Sequence, residues 1–112
     1  MRIAIPLAQG RLCPHFGHCE EFALVDVDSQ TKEIANVTKL QPPAHQPGVL
    51  PAWLSEQMAK VIIAGGMGRR AQQLFAQNGI EVVVGASPES PEALVSAYLD
   101  GRLETGDNIC DH

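Results

Sequence analysis

The sequence predicts an α/β domain built on a mixed sheet of about five strands with helices on its faces. Three observations lead there. The runs Ile3-Ala4-Ile5, Val61-Ile62-Ile63-Ala64 and Ile80 to Val84 are apolar without polar alternation, as strands covered on both faces are. Segments with apolar residues at helical spacing separate the later runs. Between the first two of these runs lie two further strand-like stretches joined by a polar turn, which indicates a hairpin.

The first strand, around Ile3 to Ile5, meets Pro6 and then a Gly-bearing loop from about Ala8 to Glu20. Phe22 to Val27 forms the second strand, polar Ser29 to Lys32 the turn, and Ile34 to Leu40 a third, more alternating strand. Pro42, Pro43, Pro47 and Gly48 then interrupt regular structure. Leu50, Trp53, Leu54 and Met58 fall on one helical stripe, with Pro51 tolerated in the first turn. After Val61 to Ala64 the glycines Gly65, Gly66 and Gly68 end the strand, and a helix carrying Ala71, Leu74 and Phe75 runs to Asn78-Gly79. The strand Ile80 to Val84 follows. Ser90 is placed to cap a last helix that has Pro91 in its first turn and Leu94, Val95, Tyr98 and Leu99 on its apolar face. Residues 1–101 then form one domain, and 102–112 a polar tail ending in Cys-Asp-His.

If the two later strands lie parallel to the first and the hairpin supplies antiparallel neighbours, the topology is similar to a ribonuclease H-like sheet. In that topology the first and third strands point the same way, so the loops after them share an edge with the glycines after Ala64, and ligands bind at such carboxyl edges.

Charge and composition narrow the function. A net charge of −5 repels nucleic-acid backbones and anionic lipid surfaces, so neither is an expected partner. The N-terminal stretch lacks the apolar core and cleavage site of a secretory signal, and no later segment approaches the ~20 apolar residues of a membrane span, so the expectation is a soluble cytoplasmic protein. The three cysteines, Cys13, Cys19 and Cys110, stand beside histidines, which suits reduced thiols or metal ligands better than a disulfide framework.

Cys13, His15, His18 and Cys19 lie in the first loop, His45 lies in the loop after the third strand, and Cys110 and His112 lie in the tail, whose ten or so residues span roughly 30 to 35 Å when extended. Thiolate and imidazole donors suit zinc, iron or iron-sulfur chemistry rather than magnesium or calcium. Cys-x-His-x-x-His-Cys is not a zinc-finger spacing. A plainer alternative is also open, in which the cysteines are small packed residues, the histidines are solvated and the tail is a disordered end. Gly65, Gly66, Met67 and Gly68, followed by Arg69 and Arg70, either cradle an anion at a helix start or make a tight strand-to-helix turn. Trp53 belongs to the core stripe, and Met67 is open between core and cofactor contact.

The segments CPHFGHCEEF, HQPGVLPAWLSEQ, VIIAGGMGRRAQQLFAQNGIEVVVG and GDNICDH together resemble the dinitrogenase iron-molybdenum cofactor biosynthesis family, which includes NifX and the C-terminal domain of NifB. The resemblance covers nearly the whole chain. It implies a ribonuclease H-like α/β domain that binds and hands over an iron-sulfur or iron-molybdenum type cluster during nitrogenase assembly, and catalyses no reaction itself. It implies as cofactor-binding residues Cys13, His15 and His18, His45, Gly65 to Gly68, and Cys110 and His112, with Cys19 beside them. Cys13, His15, His18, His45, Cys110 and His112 would be the metal ligands. The expected partners are cluster donor and acceptor proteins, and the chain itself would be a monomer or a weak homo-oligomer. Structural or regulatory zinc binding without cluster transfer is the alternative. A nuclease is disfavoured, because the first strand offers no carboxylate to hold the metal ions that such chemistry needs.

Overall fold

The computed structural model describes residues 1–16, 19–43 and 48–106. His18, His45, Cys110 and His112 lie outside the described residues. In chain order the elements are β1 (Arg2–Ala8), β2 (Arg11–Leu12), β3 (Glu21–Asp28), β4 (Glu33–Leu40), α1 (Val49–Glu56), β5 (Val61–Ile63), α2 (Arg69–Gln77), β6 (Glu81–Val83) and α3 (Pro91–Leu99). The sheet order is β4-β3-β1-β5-β6, with β2 paired to the end of β1. β5 is parallel to β1 and to β6, whereas β3 runs against both β1 and β4. The expected mixed sheet, with the first strand in the middle and the hairpin on one side, is therefore present.

Period-two alternation divides the apolar side chains between two cores. Ile3, Ile5 and Leu7 of β1, Ala23, Val25 and Val27 of β3, and Val61 and Ile63 of β5 pack with Leu94 and Val95 of α3 on one face. Ala4, Phe22, Leu24, Ile62 and Ala64 pack with Leu50 and Leu54 of α1 and Phe75 of α2 on the other. Both faces are covered, which is why the central strands carry no polar alternation. Each large apolar side chain withdrawn from water contributes about 1.5–3 kcal/mol.

Several boundaries differ from the sequence expectation, for local reasons. β1 runs on through Pro6, whose carbonyl accepts from Cys13 N–H at 2.9 Å. The N–H and C=O of one residue in an antiparallel ladder point to the same side, so the missing proline N–H faces β2 and leaves the ladder to β3 intact. α1 stops at Glu56, and Met58, expected on its buried stripe, lies beyond the end with φ 66° and 68% exposed. Ser90 caps α3 as expected, its side chain accepting from Ala93 N–H at 3.3 Å. The stretch expected as tail remains on the domain through Gly106, because Leu103 packs against the α3 side of the core and Thr105 pairs with Ala86.

Asp26 and Asp28 have separate roles. Asp28 closes the β3–β4 turn by accepting from the N–H groups of Gln30 and Thr31 at 2.9 and 3.3 Å. Asp26 stands opposite Arg2 in the β1–β3 register and takes a two-pronged bond from it, at 2.7 and 3.2 Å, while Arg2 also donates to the Gln57 carbonyl at 2.8 Å. One guanidinium thus ties β1, β3 and the end of α1 together.

The hydrogen bond from Arg2 holds the Asp26 carboxyl below the ordinary carboxylate range, outweighing the opposing effect of burial. The stabilisation is therefore complete above the unfolded pKa of about 4 and declines as pH falls through the lower folded value. Asp26→Asn is expected to lower the urea midpoint at pH 7, and the gap from the unsubstituted chain should narrow below about pH 4. A gap independent of pH would contradict the pairing. Phe75→Ala, which empties a fully buried site, is expected to cost about 3–5 kcal/mol in the same assay.

Candidate functional site

β1, β4, β5 and β6 all deliver their carboxyl ends to one edge of the sheet, and the first loop folds over that edge. Gln9 and Gly10, at φ 56° and 80°, make a tight turn of the kind whose twist suits a hairpin, so β2 returns antiparallel to β1. Cys13 follows directly and is only 3% exposed, its thiol donating to the His15 carbonyl oxygen at 2.9 Å. Pro14 and His15 face solvent. Phe16 is buried, its ring edge-on to Phe75 at 5.5 Å and to Phe22 at 6.2 Å. An aromatic anchor therefore holds the loop at its midpoint. The loop leaves through Cys19, whose N–H donates to the Phe16 carbonyl at 3.4 Å, and Glu20, whose N–H donates to the Leu7 carbonyl at 2.8 Å.

The glycine segment after β5 is joined to this loop through the backbone. Gly66 N–H donates to the Pro14 carbonyl at 2.7 Å and Phe16 N–H donates to the Gly66 carbonyl at 2.9 Å, which makes His15 and Gly66 a parallel bridge. A Cβ on Gly65 would stand 3.0 Å from the Pro14 oxygen and 3.2 Å from the Cys13 oxygen, so this position serves close backbone approach. Gly65 also accepts from Gly85 N–H at 2.6 Å. Met67 is 1% exposed and its side chain packs within the α1–α2 core. Trp53 is core as expected, partly buried and edge-on to Phe22 at 5.7 Å.

Gly68 then leads into α2 in an extended conformation, without a side-chain cap. No acidic residue lies in the first turn of α2, and Arg69 and Arg70 stand there on the surface. Two guanidinium groups at the positive end of a helix dipole oppose helix stability.

The loop thiols differ in setting. Burial pushes the Cys19 thiol up to about 11, with the neighbouring Cys13 adding to the shift, so Cys19 is protonated at neutral pH and would release a proton on binding a metal. Among the described residues no three His, Cys, Asp or Glu side chains are grouped to hold one ion. Cys13, His15 and Cys19 share one loop but do not by themselves form a closed ligand set. His18, His45, Cys110 and His112 fall outside the described residues.

Residues 1–101 match the family model described as dinitrogenase iron-molybdenum cofactor. The chain belongs to this family. It is 35% identical over 108 residues to an uncharacterized protein of Methanocaldococcus jannaschii, an alignment covering 93% of this chain and 90% of that one. Among solved structures, the crystal structure of PH0822 superposes with a TM-score of 0.83 at 32% identity, covering 95% of this chain and 96% of the other. The apo form of the orange protein from Desulfovibrio gigas shares the fold, with a TM-score of 0.70 at 24% identity over 96% and 93% of the two chains. The expected single α/β domain on a mixed sheet thus agrees with both the strand order and the solved structures.

Phe16 and the two-residue strand β2 were not singled out from sequence. A single Gly10 between apolar Ala8 and Leu12 is the hairpin's signal, and an aromatic residue in the middle of a Cys/His-rich loop is the signal of the anchor.

Gly65→Val would put a branched side chain against the Pro14 and Cys13 backbone. The expected result is destabilisation of about 1–3 kcal/mol in urea, together with faster hydrogen exchange at the Gly66 and Phe16 amides. Unchanged exchange at both amides would show that the pairing does not depend on the missing side chain.

Proposed function

We propose that this domain binds an iron-sulfur or iron-molybdenum type cluster as cargo and passes it between a donor and an acceptor protein. The observation that carries the reading is the pairing of the first loop with the glycine segment, which sets Cys13 and His15 at the edge where the other carboxyl-end loops emerge. Family membership supports a role linked to iron-molybdenum cofactor. The donor chemistry fits such cargo: soft sulfur and imidazole groups suit a sulfide-bridged cluster.

The spread of the candidate ligands over separate segments of the sequence also fits a carrier. A closed four-ligand shell retains its metal, whereas a site with few ligands on one loop and others supplied separately exchanges it more readily. His18, His45, Cys110 and His112 are the further ligands in this reading. A donor or acceptor protein would meet the domain at the same edge, where exposed His15, Arg69 and Arg70 surround the loop.

The test is anaerobic reconstitution with iron and sulfide, scored by bound iron, acid-labile sulfide and visible charge-transfer absorption. Stoichiometric sulfide is expected in the unsubstituted chain, with a large loss in Cys13→Ala and in Cys110→Ala. Zinc bound without sulfide would favour a structural metal site instead. If no metal were retained, the loop residues would be packing and solvated groups.

A further inference from the structure

The α-helices of the described residues all close with the same pair of backbone hydrogen bonds, but α1 departs from the other two in the residue it uses. After α2, Gly79 N–H donates to the Ala76 carbonyl and Ile80 N–H to the Phe75 carbonyl, both at 3.0 Å. After α3, Gly101 N–H donates to the Tyr98 carbonyl at 3.1 Å and Arg102 N–H to the Ala97 carbonyl at 2.8 Å. The two glycines are left-handed, at φ 75° and 72°. α1 repeats the pattern through Met58 N–H to the Ser55 carbonyl and Ala59 N–H to the Leu54 carbonyl, both at 3.0 Å. Here the left-handed position belongs to Met58, at φ 66°. A side chain at that φ crowds its own backbone, a cost that glycine avoids.

The Met58 side chain does not offset this cost by packing, because it is 68% exposed. Met1 and Met58 are the exposed large apolar side chains among the described residues, and they line one surface cavity with Arg2, Asp26 and Lys60. That cavity lies at the start of β1, at the opposite end of the strand from the first loop. The third methionine, Met67, is 1% exposed. We propose that Met58 is a site of reversible oxidation by peroxides, a thioether kept at the surface in a position where folding alone favours glycine. In the forward step the sulfur lone pair attacks one peroxide oxygen, the O–O bond breaks, an S–O bond forms and the other oxygen leaves as water or an alcohol. Sulfur loses two electrons and the peroxide gains them. A thiol-dependent sulfoxide reductase reverses the change, returning the oxygen as water while two thiols become a disulfide. Oxidation turns the most exposed apolar side chain of the cavity into a polar hydrogen-bond acceptor beside the Arg2 and Lys60 cations.

The test is a time course of the full folded chain in hydrogen peroxide, with peptide mass spectrometry counting the oxygen gained at each methionine. Met58 is expected to gain one oxygen about ten-fold or more faster than Met67, with Met1 between them, since susceptibility follows exposure. In urea the three should react alike, which shows that the fold sets the order. Methionine sulfoxide reductases for both sulfoxide epimers, supplied with dithiothreitol, are expected to restore the Met58 thioether without unfolding the chain. Met58→Gly should remove the early oxygen and raise the melting temperature by about 2–4 °C, because the left-handed position then carries no side chain. Three results would each overturn the proposal. Met58 could react no faster than Met67, its sulfoxide could resist both reductases in the folded chain, or Met58→Gly could melt lower than the unsubstituted chain, which would mean that folding itself accounts for the side chain.

Discussion

The pairing between the first loop and the Gly65-Gly66 segment is the constraint on which the rest of the site depends. It requires two backbones to approach at sheet distance where neither belongs to a long strand, and Gly65 permits this by carrying no side chain toward Pro14. Phe16 secures the same contact from the other side, because its ring is held in the core by Phe22 and Phe75. Core packing thus fixes a loop whose neighbouring residues carry chemistry. Beyond the two-residue β2 the loop acquires its place through these contacts, and Cys13 and His15 are carried to that place with it.

Much of the fold was legible because two-sided burial leaves a plain trace. Runs such as Val61-Ile62-Ile63 can only be central strands or buried helix segments, and glycines immediately after them favour the strand. The α3 cap was equally open, since Ser90 followed by Pro91 describes a helix start in both conformation and hydrogen bonding. Met58 misled for a physical reason: α1 is short, and a residue four positions past Leu54 continues the helical spacing after the helix itself has ended. Spacing states where a side chain would point if the helix continued, not whether it does. β2 escaped notice because two residues produce no period.

The candidate site was legible in part, and the division follows chemistry against geometry. Cysteine and histidine announce their donor chemistry by identity alone, so Cys13, His15 and Cys19 could be selected without a structure. The backbone contacts that group the loops could not, because the partners are far apart in sequence and the residues that make them, Pro14, Gly66, Gly85 and Gly106, carry no donor side chain. Glycine is ambiguous from sequence, serving turns, positive φ and close approach alike. Here the three uses separate: Gly10 serves a turn, Gly65 close approach, and Gly85 both a positive φ and close approach.

That separation bears on the proposed carrier role, because a carrier must differ from a metalloprotein that keeps its ion. Tight metal sites draw several ligands from rigid elements, so that the unfavourable entropy of organising them is met during folding. In this chain the described scaffold stacks backbone segments at one edge, and among the described residues no three His, Cys, Asp or Glu side chains are grouped to hold one ion. A cluster bound there would be held by groups from separate segments, each attached to the sheet at a defined point. In the proposed reading, release would need only one segment to withdraw, leaving undisturbed the sheet whose two cores lie on either face. On the proposed cargo reading, a stable sheet with ligand-bearing segments paired to its edge would reconcile a stable fold with an exchangeable cluster, and backbone contacts such as those of Gly65 would matter to exchange alongside the donor atoms.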